Sequence, residues 1–170
     1  LRAYSDTDYA GCKQTRRSTS GGVVLRGQHI LKHWASTQKF VTLSSAEAEL
    51  GGIVRCATEV IGLRSLASDL GMRPETQIFA DAAAAIGICQ RSGVGKVRHL
   101  ATGQLWIQEQ LRNGLLRLYK VNGAQNPADL CTKHLGAPTL KILLEQLPVE
   151  WLTSRARTAP LITDASKKGN

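Results

Sequence analysis

The chain has 170 residues, a length that suits one domain with a substantial core, and 42% of its residues are hydrophobic. No apolar run approaches the length of a membrane span and no signal peptide is visible, so the sequence predicts no membrane association. The formal net charge of +9 favours a polyanionic partner, nucleic acid first, although a solvated basic surface explains the same charge. Because the first residue falls inside a predicted strand, we interpret the chain as a segment of a longer polypeptide.

Three strands are predicted at the start of the chain, over residues 1–6, 20–25 and 29–34. The first strand ends at Asp6, and a tight turn over 26–28 joins the other two. A polar connection over 7–19 joins the first two strands, and we expect all three to be antiparallel.

A long helix is predicted over residues 45–70, stopped by a glycine and a proline. Ser44 takes the N-cap position, and Glu47 three residues later completes a capping box. Glycines weaken this helix, so packing must hold it, and close approach to a sheet would explain them. These glycines are Gly51, Gly52 and Gly62.

The second half of the chain alternates strands with helices. The predicted elements are a strand over 76–80, helices over 82–90 and 98–112, a strand over 115–121, a short helix from 127 and a helix over 138–147. Residues 153–170 are polar and basic with little periodicity, and we expect a loose tail there. This order predicts an α/β fold, a mixed sheet with helices packed on its faces.

The four cysteines lie at positions 12, 56, 89 and 131, which does not match the paired spacing of a zinc site. Free thiols in a reducing compartment are therefore the expectation. His29 and His33 fall in a predicted strand, where packing or surface roles are simpler than catalysis.

Four carboxylates stand on four different elements: Asp6, Glu49, Asp81 and Asp129. Glu49 lies among apolar neighbours without a basic residue four positions on, and a carboxylate near the core without a partner is costly. A divalent cation shared with the other acids would relieve that cost. Oxygen ligands of this kind suit Mg²⁺ or Mn²⁺, and two such ions could support phosphodiester hydrolysis. On spacing alone, four independent surface acids remain the simpler interpretation.

Four motifs carry a family resemblance. Residues 4–11 (YSDTDYAG) resemble YSDxDWAG, residues 17–22 (RSTSGG) resemble KSTSG, residues 43–50 (LSSAEAEL) match LSSxEAEY, and residues 126–135 (NPADLCTKHL) resemble xxADxFTKxL. On these motifs, residues 1 to about 136 are similar to the ribonuclease H domain of copia-type (Pseudoviridae) retrotransposon reverse transcriptase polyproteins. The motifs occur in the family's order at near-family spacing.

The resemblance implies a ribonuclease H-like fold with a five-stranded mixed sheet whose first three strands are antiparallel. The resemblance covers the domain at residues 1–136. Beyond it, the sequence itself predicts a helical extension at 137–152 and a flexible basic tail at 153–170. The implied function is metal-dependent endonucleolytic cleavage of the RNA strand of RNA–DNA hybrids during reverse transcription. The implied cofactor is two Mg²⁺ ions, with Mn²⁺ as a substitute. The implied catalytic and metal-binding residues are Asp6, Glu49, Asp81 and Asp129.

The neighbouring acids Asp8 and Glu47 are the weaker choices. Asp6 lies on the predicted strand itself, which favours it over Asp8. Glu47 and Glu49 are two positions apart on a helix, about 200° around its axis, so both cannot face one site. Because Ser44 gives Glu47 a capping role, we select Glu49.

The partners implied by the resemblance are an RNA–DNA hybrid and the neighbouring reverse transcriptase domain of the same polyprotein, in the cytoplasm within a virus-like particle. A hybrid is recognised by shape, through its minor groove, 2′-hydroxyls and phosphates. Small residues near strand ends are candidates for these contacts: Gly11, Ser18, Thr19, Ser20 and Ser45. Basic residues are candidates for phosphate contacts: Lys13, Arg16, Arg17, Lys96 and Arg98. For each basic residue alone, a solvated surface charge is the simpler interpretation.

The chain departs from the family after Asp81, where residues 82–85 are all alanine in place of DNxSA. The segment 98–101 lacks the acid of the family's KHID, and residues 121–126 contain no histidine of the kind cellular enzymes often carry before the last aspartate. The alternative function is therefore a catalytically decayed domain that binds nucleic acid or a neighbouring polyprotein domain.

Overall fold

In a computed structural model, which describes residues 1–93 and 102–149, five strands form one mixed sheet. The strands are β1 (Arg2–Asp8), β2 (Thr19–Arg26), β3 (His29–Thr37), β4 (Gln77–Ala80) and β5 (Arg117–Lys120). Their order across the sheet is β3-β2-β1-β4-β5, with β1, β2 and β3 antiparallel and β4 and β5 parallel to β1. The predicted five-stranded mixed sheet is confirmed.

The helices are α1 (Ser45–Asp69), α2 (Ala83–Gln90), α3 (Thr102–Arg112) and α4 (Ala137–Glu145). Two short 3₁₀ helices lie between β5 and α4, at Gly123–Gln125 and Pro127–Cys131. The predicted beginning of the third helix at 98 and the predicted tail at 153–170 lie outside the described residues, and the proposed domain division stays a prediction.

The first and third strands are longer than the sequence predicts. Asp8 pairs with Thr19, and Thr19 pairs in turn with Thr37, so the antiparallel ladder continues past the predicted strand ends. Backbone pairing with a neighbouring strand, and not side-chain alternation, determines these ends. As a result Asp6 lies within β1 rather than at its last position.

The predicted N-terminus of α1 is confirmed. Ser44 accepts a hydrogen bond from the backbone N–H of Glu47 at 3.3 Å, and the Glu47 carboxylate accepts one from the N–H of Leu43 at 3.0 Å. Leu50 and Ile53 are fully buried on the face of α1 that packs on the sheet. Their burial fixes which side of α1 faces β1 and therefore where Glu49 lies.

The predicted close approach of α1 to the sheet occurs at Gly52. A Cβ atom at Gly52 would lie 2.5 Å from Oγ1 of Thr7 and 3.1 Å from Oγ of Ser5, both on β1. At Gly62, by contrast, a Cβ would meet nothing within 4 Å in the described part of the chain. Gly52 therefore allows the short distance between α1 and β1 near Asp6, whereas Gly62 is not needed for packing against the described residues.

Candidate metal centre

Three carboxylates converge at one end of the sheet. Asp6 comes from β1, Glu49 from the second turn of α1, and Asp81 directly follows β4. Each offers an oxygen, and these oxygens all lie within 4.8 Å of one another. Because β1 and β4 are parallel neighbours, their carboxyl ends meet at the same edge, and α1 crosses that edge at Gly52. The structure thus brings together three of the four predicted acids.

Glu49 has the electrostatics of a group that needs a cation. Burial, followed by the charges of Asp6 and Asp81, raises the pKa of its carboxyl to about 8. Its Oε2 atom is buried and has no hydrogen-bond partner within residues 1–93 and 102–149. A divalent ion would satisfy this oxygen and offset the repulsion, so the site fits a metal of the Mg²⁺ or Mn²⁺ type.

The pH dependence of stability tests this environment in metal-free protein. Between pH 4.5, the usual pKa of Glu, and about 8, the folded carboxyl of Glu49 stays protonated while the unfolded one ionises. The folded state then binds more protons, so the free energy of unfolding falls as pH rises through this window. Glu49→Gln removes that loss. The free energy of unfolding of this variant, relative to that of the unmutated chain, should therefore increase by roughly 2–4 kcal/mol between pH 4.5 and pH 9.

Denaturant titrations in chelator at several pH values measure this effect. Glu59→Gln is the control, because Glu59 is a half-buried carboxylate of the same helix that pairs with Lys32 and Arg55. A Glu49→Gln difference that does not grow with pH would contradict the assigned environment of Glu49.

Asp129 lies beside this group but outside it. It sits on the 3₁₀ helix Pro127–Cys131, and its Oδ1 accepts a hydrogen bond from Nζ of Lys133 at 2.9 Å. The same Nζ donates to Oδ1 of Asp6 at 3.1 Å. Burial raises the pKa of Asp129 to about 6 even though Lys133 lowers it. Asp129 and Asp6 are therefore joined by a lysine in this structure, whereas Asp6, Glu49 and Asp81 face one another directly.

Three further residues hold this end of the site, and none was among the predicted site residues. The Thr132 hydroxyl donates to Oδ2 of Asp6. Lys133 bridges Asp6 and Asp129. Asn126 is fully buried, donates to the backbone carbonyl of Ser5 at 2.9 Å and accepts from the N–H of Ala128 at 3.2 Å, which ties the 3₁₀ helix to β1. All three lie in the last motif, and the i,i+4 spacing of Asp129 and Lys133 was a signal in the sequence.

The predicted substrate contacts divide by exposure. Gly11, Arg17 and Ser45 are exposed and Thr19 is half-buried, as a contact surface requires. Ser18 and Ser20 are buried: the Ser18 hydroxyl accepts from the N–H of Ala10, and the Ser20 hydroxyl accepts from Nε2 of Gln38. Both hydroxyls are therefore engaged by other residues in the described part of the chain, and a substrate contact of either serine stays a prediction. Lys96 and Arg98 lie outside the described residues.

The alanine run after Asp81 has a structural consequence. Ala82 takes the N-cap position of α2 without a side-chain capping bond in the part of the chain that is described, and Ala83 and Ala84 are exposed. The run therefore removes polar groups from the surface beside Asp81. It leaves the Asp81 carboxylate within the three-acid group.

Solved structures similar to this chain define its fold. LC11-RNase H1 in complex with an RNA/DNA hybrid aligns with a TM-score of 0.54 at 16% identity, covering 76% of this chain and 91% of that one. LC11-RNase H1 isolated from compost by a metagenomic approach gives 0.52 at 17% identity, covering 76% and 90%. The chain has the ribonuclease H fold.

The chain is similar in sequence to polyproteins of plant transposons. The chain is 33% identical over 138 residues to the retrovirus-related Pol polyprotein from transposon RE1 of Arabidopsis thaliana and 29% identical over 135 residues to that from transposon TNT 1-94 of Nicotiana tabacum. No family model matches. The homologues of this chain are thus copia-type Pol polyproteins of plant transposons, which confirms the predicted resemblance.

The alignments cover 79% and 78% of this chain but only 9% and 10% of those two polyproteins. The chain therefore spans about a tenth of the length of these relatives. Among the helices of the described ranges, none is long and apolar enough to cross a membrane.

Proposed function

We propose that the chain is a metal-dependent endonuclease that hydrolyses the RNA strand of RNA–DNA hybrids during retrotransposon reverse transcription. The observation that carries the proposal is the convergence of Asp6, Glu49 and Asp81, with a Glu49 oxygen buried and without a partner among the described residues. The solved relative that binds an RNA/DNA hybrid suggests the substrate class. The Pol polyprotein relatives support a polyprotein context. The proposed partner, a neighbouring reverse transcriptase domain, and the proposed compartment, a cytoplasmic virus-like particle, rest on the family resemblance of the motifs.

The residues present would hold two divalent ions, Mg²⁺ with Mn²⁺ as substitute. Asp6, Glu49 and Asp81 would hold one, and Asp6 with Asp129 the other. Bound ions of this kind activate a water and stabilise the leaving oxygen of a phosphodiester.

The chain itself supplies orientation and charge. Thr132 donates to Oδ2 of Asp6 and Lys133 donates to Oδ1, so these two hydrogen bonds fix the orientation of the Asp6 carboxylate. Glu49 carries its proton at neutral pH in the metal-free protein and releases it when a cation binds, because a ligating carboxylate must be ionised. Gly11, Arg17, Thr19 and Ser45 give the substrate an exposed polar surface in the segments that flank the carboxyl end of β1 and the beginning of α1.

The second candidate is a decayed domain that binds nucleic acid without cutting it. Two features beside Asp81 favour this candidate. Ala83 and Ala84 are exposed, and Ala82 caps α2 without a side-chain hydrogen bond in the described part of the chain. The two candidates share affinity for hybrids and differ only in turnover. We favour the enzyme because the alanine run removes no carboxylate from the three-acid group.

A labelled hybrid separates the two candidates. Incubation of the chain with a hybrid labelled on its RNA strand, in Mg²⁺, in Mn²⁺ and in chelator, should give RNA fragments with either metal and none in chelator. Double-stranded DNA should stay intact. Tight hybrid binding without product under either metal would establish the binding module instead.

The salt dependence of hybrid binding tests the proposed phosphate contact of Arg17. Arg17 is exposed in the loop that joins β1 to β2, at the same end of the sheet as Asp6. Arg17→Gln should reduce the slope of log affinity against log salt by about one, because one fewer counterion is released. Fluorescence anisotropy in chelator across a salt series measures this slope.

Arg117→Gln is the control for that measurement. Arg117 begins β5 at the opposite end of the sheet and pairs with Glu75 at 3.5 Å. An equal change in slope for both variants would show that Arg17 acts only through net charge.

A further inference from the structure

Lys133 fills the space between two acids of the site. Its Nζ lies 3.1 Å from Oδ1 of Asp6 and 2.9 Å from Oδ1 of Asp129. Its backbone N–H donates to the carbonyl of Asp129 at 3.0 Å, so the turn that ends the 3₁₀ helix fixes where the side chain begins. The lysine is therefore a cation attached at a defined distance from both carboxylates.

Asp6 and Asp129 need a counter-charge, and the partly exposed side chain of Lys133 has room to turn towards solvent. Asp6 is 1% exposed and Asp129 8%, so two like charges would repel strongly there without a counter-charge. The Lys133 side chain is 40% exposed, and its long stem gives the amine a path to solvent. Withdrawal of the amine would leave Asp6 bound by Thr132 and Asp129 still anchored by the 3₁₀ helix.

The two candidate metal positions differ in whether a charged side chain already lies there. Oε2 of Glu49 has no hydrogen-bond partner in the described structure, so the position between Asp6, Glu49 and Asp81 is open to an ion. The position between Asp6 and Asp129 is spanned by Lys133. An ion that bridges Asp6 and Asp129 must therefore displace the amine, whereas an ion at the first position need not.

We propose that Lys133 is a tethered cation that occupies the Asp6–Asp129 position and makes metal loading sequential. Asp6, Glu49 and Asp81 would hold one ion with Lys133 in place, and Asp6 with Asp129 would hold another only after the Lys133 amine has withdrawn. This inference rests on the proposed metal-dependent function and adds to it a positioning residue. Lys133 acts through Asp6 and Asp129 and takes no part in the chemistry itself.

Calorimetric titration of the metal-free chain with Mn²⁺ tests the proposal through Lys133→Met, which keeps the apolar stem and removes the charge. The unmutated chain should bind one ion tightly and a second more weakly. Lys133→Met should tighten the second step by about tenfold or more, since the competing cation is gone, and change the first step much less. Lys133→Arg, which retains the charge, should keep the weak second step.

Thermal unfolding adds a readout that a merely structural role would not give. In chelator, Lys133→Met should unfold at a lower temperature than the unmutated chain, because Asp6 and Asp129 lose their shared counter-charge. In saturating Mn²⁺ that difference should disappear, because the second ion replaces the amine. Lys32→Met is the matched control, since Lys32 also pairs with a carboxylate, Glu59 at 2.5 Å, and should leave both binding steps unchanged.

The outcomes separate this inference from the function on which it rests. If the unmutated chain binds no Mn²⁺, or if Asp6→Asn leaves Mn²⁺ binding unchanged, the metal centre itself is overturned. Binding that depends on Asp6, together with an unchanged second step in Lys133→Met, would overturn only the role of Lys133. An equal loss of stability with and without Mn²⁺ would also assign Lys133 a purely structural role.

Discussion

Asp6→Asn should lower the rate of Mg²⁺-dependent cleavage of an RNA–DNA hybrid by about a thousandfold or more. This is the upper range of the rate loss when one group that stabilises a transition state electrostatically is removed. Asp6 is chosen because it faces both Glu49 and Asp81 on one side and Lys133 with Asp129 on the other. Both proposed ions would share it. Gel separation of RNA fragments over time measures the loss.

The Asp6→Asn chain should remain folded. In metal-free protein, the substitution removes one charge from the three-acid group and loses the ion pair to Lys133, two effects that oppose each other. Asn can still accept the hydrogen bond from Thr132. A melting temperature close to that of the unmutated chain would show that lost cleavage is not lost folding.

Asp8→Asn is the control within the same strand. Asp8 also lies on β1 but is absent from the three-acid group of the described residues. Its substitution should leave cleavage close to that of the unmutated chain. Full cleavage by Asp6→Asn, or an equal loss in Asp8→Asn, would contradict the assignment of Asp6.

Gly52→Ala should impair stability and cleavage together. The new Cβ would lie 2.5 Å from Oγ1 of Thr7, which donates to the Ala48 carbonyl of α1, and 3.1 Å from Oγ of Ser5, so we expect α1 to move away from β1. Overpacking of this kind costs about 1–3 kcal/mol of unfolding free energy. Because Glu49 is three residues away on the same helix, its carboxylate shifts relative to Asp6, and a displacement of about 1 Å can lower cleavage by roughly a hundredfold.

Gly62→Ala is the matched substitution on the same helix. A Cβ at Gly62 meets nothing within 4 Å in the described ranges, so alanine should raise the free energy of unfolding by about 0.5–1 kcal/mol and leave cleavage unchanged. Denaturant titration and the hybrid assay measure both variants. A Gly52→Ala chain as stable and as active as the unmutated one would contradict the role assigned to close helix packing.

The fold and three members of the site could be predicted because their signals are local. The strand that carries Asp6, the strand that ends before Asp81 and the capping box that occupies Glu47 are predicted from a few neighbouring residues, although β1 continues to Asp8. The structure bears out the capping bond and places Glu49 beside Asp6. Gly52 was also predictable in kind, since a glycine inside a long helix indicates close packing, but only the structure separates it from Gly62.

The part that could not be predicted depends on distant contacts. Lys133 and Asp6 are 127 positions apart, and the hydrogen bond of Asn126 to Ser5 spans 121. No periodicity or local motif encodes such pairs. The buried serines are a related case: Ser18 and Ser20 are small and polar near strand ends. Their hydroxyls nevertheless form hydrogen bonds with Ala10 in the same connection and with Thr42 and Gln38 farther along the chain.

The central claim is that Asp6, Glu49 and Asp81 form a divalent-metal centre. Anomalous diffraction from crystals grown with Mn²⁺ and a non-cleavable hybrid tests it most directly, because the signal locates the metal itself. We predict a strong peak within about 2.5 Å of an oxygen from each of the three carboxylates, near the upper end of oxygen–cation distances in proteins. Absence of a peak there, with Mn²⁺ bound elsewhere or not at all, would contradict the account.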